Sequence, residues 1–124
     1  MDVILPASDG SATLEIRNAR VADADGHCGS LVRLHYEGEL HRAQFWFDRE
    51  DLQAFVREAR WLVRSISGEA ELDCLSLQRR AGDWKLAGRL FPIDLRFSFP
   101  ISMQDADRLV SACEELIHST IDRE

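Results

Sequence analysis

Apolar residues recur at Leu52, Phe55, Val56, Ala59, Leu62, Val63 and Ile66, with charged residues between them. The i, i+3, i+4, i+7 spacing is that of one buried stripe on a helix. The preceding "FWFDRED" supplies its start. Asp48 takes the N-cap, Asp51 stands where a capping-box acid belongs, and Phe47 and Leu52 have the spacing of a hydrophobic staple. Glu50 and Asp51 suit the positive end of the helix dipole, Arg57, Arg60 and Arg64 lie toward the negative end, and Gly68 is the expected stop. Every charge in Asp48-Arg49-Glu50-Asp51 thus has a structural role, and we prefer that reading to a catalytic or metal-binding cluster. A second helix repeats the design. Ser102 caps it, Asp105 follows three residues on, and Ala106, Leu109, Val110, Cys113, Leu116, Ile117 and Ile121 form its stripe.

Elsewhere the period is two. "LVRLHYEGELHRAQFWF" (31–47) predicts a hairpin turning at Gly38-Glu39, with Tyr36 opposite His41, Leu34 opposite Ala43 and Val32 opposite Phe45. His35 and His41 then point to opposite faces and cannot share a metal. Residues 72–101 predict a three-stranded meander. Its first turn, Ala81-Gly82, sets Leu77 opposite Leu86 and Leu75 opposite Gly88. Its second, Phe91-Pro92, sets Leu90 opposite Ile93 and Leu86 opposite Phe97. So tight a second turn would need a cis bond before the proline, and a longer loop is the alternative. "TLEIRNARV" (13–21) is a further strand with an irregularity near Asn18, and "VIL" (3–5) a short edge strand. "FWFDREDLQAF" and "FSFPISMQDADRL" are both aromatic strand ends leading into capped helices. The expected architecture is α+β: a largely antiparallel sheet of about six strands with two helices packed on one face, in the order β-β-β-α-β-β-β-α.

Length and charge narrow the class. A chain of 124 residues, 45% hydrophobic and 30% charged, has the size and make-up of a single domain, 1–124. The net charge of −7 is concentrated at the two ends, with six acids against two bases in residues 102–124. An acidic chain without a basic segment is not expected to bind nucleic acid. No apolar run reaches the roughly 20 residues that span a bilayer. The start "MDVILPASDG" lacks the basic flank and long apolar stretch of a signal peptide, so a cytoplasmic protein is expected. Cys28, Cys74 and Cys113 are odd in number and widely spaced, with no CxxC, so neither a disulfide framework nor a zinc site is implied.

No motif of catalysis is visible: no GxSxG, P-loop or HExxH. "DADGHCGS" (23–30) has the acids of a calcium loop but its glycine at the fourth position instead of the sixth, and we read it as a polar loop. His27-Cys28 offers two ligand types side by side without distant partners. No cofactor or metal is expected. The informative residues are two tryptophans. Trp61 lies nearly opposite the apolar stripe of the first helix, between Arg57 and Arg64, and Trp46 lies on the hairpin face away from Phe45 and Phe47. Aromatics outside the expected core mark interfaces, or else pack under a loop or an arginine. Asp107, Glu114, Glu115, His118 and Asp122 make an acidic stripe on the second helix, read either as a solvated face or as a surface for a basic partner.

The run "FWFDREDLQAFVREARWLVRSISGEAEL" (45–72) resembles a class of small, uncharacterised bacterial proteins, some of which look like immunity proteins of polymorphic toxin systems. The shared elements are an aromatic strand, a capped helix, a glycine-containing turn and a strand beginning "GEAEL"; none is catalytic. The resemblance implies a cytoplasmic antitoxin that works by binding a toxin domain, and the acidity of the chain fits an inhibitor that caps a basic site. The contact would run through the acidic helix face or through Trp61, and a homodimer is the other use of exposed aromatics. The alternative is a small-ligand or regulatory module holding an anion on the open sheet face around Arg33, Arg42, Trp46, Arg89 and Arg96.

Overall fold

Among the described residues the chain forms eight strands and two helices. The computed structural model describes residues 2–21, 28–91 and 94–121. Their order is β1 (Val3–Pro6), β2 (Ala12–Val21), β3 (Cys28–Tyr36), β4 (Glu39–Phe47), α1 (Arg49–Arg64), β5 (Gly68–Leu72), β6 (Leu75–Arg80), β7 (Asp83–Leu90), β8 (Leu95–Ile101) and α2 (Met103–Ile121). The strands form two antiparallel four-stranded sheets, β1-β2-β3-β4 and β5-β6-β7-β8. The α+β class holds, but the single sheet of about six strands does not. The same unit, four strands and a helix, occurs twice.

Periodicity does not mark β5, the strand beginning "GEAEL", which is expected only from the resemblance of residues 45–72. It turns into β6 through Asp73 and Cys74, with Leu72 opposite Leu75 and Asp73 at φ 51. That turn contains neither glycine nor proline, and Asp is one of the few residues that accept a left-handed backbone at modest cost. The irregularity near Asn18 is present as a register shift between Arg17 and Arg20 in the β2–β3 pair. The turn at Ala81-Gly82 is also as expected, with Leu77 opposite Leu86 and Leu75 opposite Gly88.

Two registers differ by two residues from expectation. In the β3–β4 hairpin Tyr36 pairs with Glu39, Leu34 with His41 and Val32 with Ala43. The turn is Glu37-Gly38, at φ 53 and 80, not Gly38-Glu39. In the β7–β8 pair Leu90 lies opposite Leu95 and Leu86 opposite Phe99, so the connection is the longer four-residue loop over 91–94. The bond between Phe91 and Pro92 lies outside the described residues. A shift of two keeps every side chain on its expected face, because side chains alternate with period two.

The inward positions of both sheets and the stripes of both helices form one core. Leu5, Leu14, Leu34, Leu52, Phe55, Leu77, Leu86 and Phe99 are among its fully buried members. The α1 cap is as read from sequence: Asp51 N donates to Asp48 Oδ1 at 2.8 Å and Asp48 N donates to Asp51 Oδ2 at 3.4 Å. At α2 the Asp105 N–H donates to Ser102 Oγ at 3.1 Å, and that hydroxyl donates to Asp105 Oδ2 at 3.0 Å.

The end of α1 is not where Gly68 would put it. The helix stops at Arg64, and Ser65 is an extended C-cap. Arg79 of β6 closes it. Its Nη1 donates to the carbonyls of Leu62, Val63 and Ser65, each at 2.9 Å, and its guanidinium lies 4.9 Å from the centroid of the Trp84 ring. A cation at the negative end of a helix also meets the macrodipole favourably. Gly68 matters for packing instead. A Cβ there would come within 2.6 Å of Leu62 Cδ2, so its absence lets β5 approach the helix.

Each helix packs mainly on the sheet it does not follow. Helix α1 leaves the first sheet and packs on β5 and α2, while α2 leaves the second sheet and packs on β1 and β2. A hydrogen bond from Ser8 N to Pro100 O, 2.9 Å, joins the β1–β2 turn to β8.

Candidate functional site

The last apolar positions of the α1 stripe fall outside the core: the helix buries Leu52, Phe55, Ala59 and Leu62, Val63 within it is left off that face, and Ile66 lies beyond the helix end at Arg64. Val63 is 56% exposed and Ile66 74%, although periodicity places both on the buried face. Across from them the first residue of α2, Met103, is 61% exposed. Between the two helices lies a cleft of about 270 Å³. Leu77 and Trp84, from β6 and β7, contribute to it from below. Ala59 and Val63 line the α1 side, Met103 and Val110 the α2 side, and Arg60, Gln104 and Asp107 add the polar groups. The surroundings are largely apolar, with a few polar groups, which is the usual make-up of a binding cleft.

The charged residues there are coupled. Arg60 of α1 reaches Glu114 of α2 with Nη2 at 2.6 Å and Nε at 2.9 Å, and its Nη1 lies 3.8 Å from Asp107. The hydrogen bond to Glu114 holds the guanidinium above its ordinary pKa. The acidic stripe of the second helix is therefore not one solvated face. Glu114 and Asp107 turn toward α1, while Glu115 and His118 are exposed. Asp122 lies outside the described residues.

Trp61 is 63% exposed, and Arg57 and Arg64 beside it are exposed too. Trp46 belongs to a different element. It stands on the outward face of the first sheet with its ring over Gly29, where a Cβ would come within 2.9 Å of the indole. The anionic-ligand grouping of Arg33, Arg42, Trp46, Arg89 and Arg96 does not hold as one face. The first three belong to the first sheet and the last two to the second, because the strands divide into two sheets. Arg89 is moreover paired with Asp94 at 2.9 Å and lies 5.7 Å from the Phe91 ring centroid.

Chemistry elsewhere is muted. Burial, followed by the Asp73 charge, pushes the Cys74 thiol up to about 12, so it carries no thiolate at neutral pH. Cys113 is fully buried in the α2 stripe. Glu69 and, to a smaller extent, burial and Glu58 raise the Glu71 carboxyl above its usual range. Among the described residues no three His, Cys, Asp or Glu side chains converge as a metal site. The calcium-like loop and His27-Cys28 fall largely outside them. Among the described residues no helix is long and apolar enough to cross a membrane.

Sequence reasoning misses Val63, Met103, Trp84 and Arg79 as parts of this region. Val63 reads as core because the apolar stripe runs on to Ile66. Arg79, on a strand fifteen residues beyond the helix end, leaves no local signal. No family model matches the chain, and no curated protein or solved structure matches it either.

Proposed function

We propose that this is a non-enzymatic, partner-binding protein that receives an apolar anchor of a protein partner in the α1–α2 cleft. The observation that carries the reading is the pair Val63 and Met103, large apolar side chains more than half exposed on the two sides of an apolar cleft. Interfaces concentrate their energy in such central apolar pockets, and exposed aromatics such as Trp61 extend the contact around them. The acids of α2 and the net charge of −7 favour a basic partner. Together with the resemblance of residues 45–72 to immunity proteins, this makes a toxin domain the leading partner class.

The test is a co-expression rescue. Each polypeptide encoded beside the gene is expressed alone and with this protein. A neighbour that is toxic alone, tolerated with this chain and co-purified with it supports the reading; no toxic and no co-purifying neighbour removes it. In the complex, Val63→Asp and Met103→Glu should each weaken affinity by about tenfold or more, since a charge is forced into an apolar contact. Both sites are exposed in the free protein, so circular dichroism should be unchanged. Full affinity in both variants would take the cleft out of the interface.

A further inference from the structure

The outward face of the first sheet has the opposite charge to α2. Residues directly opposite on neighbouring strands form rows across it. One row is Glu15, Arg33 and Arg42; the next is Arg17, Leu31 and Gln44; on the other side lie Thr13, His35 and Leu40. Arg33 and Arg42 are thus like charges directly opposite each other, a placement that destabilises a sheet. Glu15, the neighbour that could relieve them, is engaged by Arg17 at 3.3 Å. Among the described residues neither Arg33 nor Arg42 forms an ion pair.

Apolar groups alternate with these cations. Leu31 is 50% exposed and Leu40 44%, and the Trp46 ring is seated on Gly29, with more than half of the residue open to solvent. A ring held in place on one side is a ready platform, because little side-chain freedom is left to lose on binding. Strand β4 is the last strand of its sheet, pairing only with β3 among the described residues, and it carries Leu40, Arg42, Gln44 and Trp46 on this face.

We infer that this face is a second docking surface, separate from the cleft, for an acidic segment of a protein partner in which carboxylates alternate with apolar side chains. The carboxylates would fit between Arg33 and Arg42, where a bidentate acceptor converts a repulsive pair into two charge-assisted contacts. The apolar side chains would cover Leu31, Leu40 and Trp46. A nucleic acid is a poorer occupant. It draws its affinity from many phosphate contacts, and this face offers the two guanidinium groups of Arg33 and Arg42 on a chain whose net charge is −7.

The experiment uses the whole chain and two short fluorescein-labelled peptides, one alternating glutamate and valine and one alternating glutamine and valine, followed by anisotropy. The glutamate peptide should bind at least about tenfold more tightly, with a preference that shrinks at high salt. The double variant Arg33→Gln/Arg42→Gln should lose that preference, whereas Arg57→Gln/Arg64→Gln on α1 should keep it. Arg42→Glu separates binding from folding. It should abolish peptide binding and raise Tm, because it sets opposite charges across β3 and β4. Equal binding of the two peptides, retained preference in the Arg33/Arg42 variant, or a lowered Tm in Arg42→Glu would overturn the inference. Tighter binding of a single-stranded oligonucleotide, or a dimer that these substitutions dissociate, would overturn it in favour of those occupants.

Discussion

Arg79 holds together three parts of the molecule with one side chain. It donates to three carbonyls at the end of α1, lies over Trp84 and belongs to β6. Arg79→Ala leaves those carbonyls without their donor and should cost about 1.5–3 kcal/mol, the range for hydrogen bonds from a charged group. The midpoint of urea unfolding measures it. Arg79→Lys keeps the charge without the planar fork and should recover only part. Cys74 gives a pH signature. Its folded thiol lies near 12 against an ordinary value of 9.0, so the folded state holds this proton more tightly than the unfolded state. The associated stability is complete below pH 9 and is lost as pH rises toward 12. Thermal melts should show an alkaline decline over that window, flattened in Cys74→Ala. The sign is the same at Glu71, in a lower range. Glu71→Gln should raise Tm at neutral pH, and the gain should vanish once acid protonates the carboxyl in the parent protein.

At the scale of elements, turns decide what is legible. The β3–β4 turn puts Glu37 at φ 53, a conformation that asparagine accepts more readily than glutamate. Glu37→Asn should therefore stabilise the protein by about 0.5–1 kcal/mol, read as a rise in Tm. A fall would argue for a turn one residue later. Sequence alone favours that later turn because it gives glycine the first position, and the register is then two residues off. Faces survive the error, since period two is blind to a shift of two. Trp46, Arg33 and Arg42 are therefore assigned to the correct side of the hairpin in either register. Helix starts are legible because a cap is local: Asp48 with Asp51, and Ser102 with Asp105, are written within four residues. The end of α1 is not, because Arg79 closes it from another element. The candidate surface shares that fate. Trp61 is visible as an aromatic off the stripe, but exposure of Val63 follows only from which face of α1 its neighbours cover.

At the scale of the whole molecule, the exchange of helices between sheets ties the two halves into one core. Residues 2–64 alone would leave the apolar face of β1 and β2 without α2, and α1 without β5. Such a fragment should show no cooperative melt, while the full chain should unfold in a single transition seen alike by circular dichroism and tryptophan fluorescence.

The same exchange sets a timetable. Synthesis runs from the first sheet onward, and the first sheet is complete in sequence by Phe47. Its covering helix, Met103–Ile121, is not made until more than fifty further residues have been added. On the ribosome the apolar side of β1 and β2 must wait, bare, for a helix on the far side of the chain. Native structure in the earlier half is thus a late event. A stop in translation between α1 and α2 would release a product with an exposed sheet face, one prone to aggregate or to be degraded.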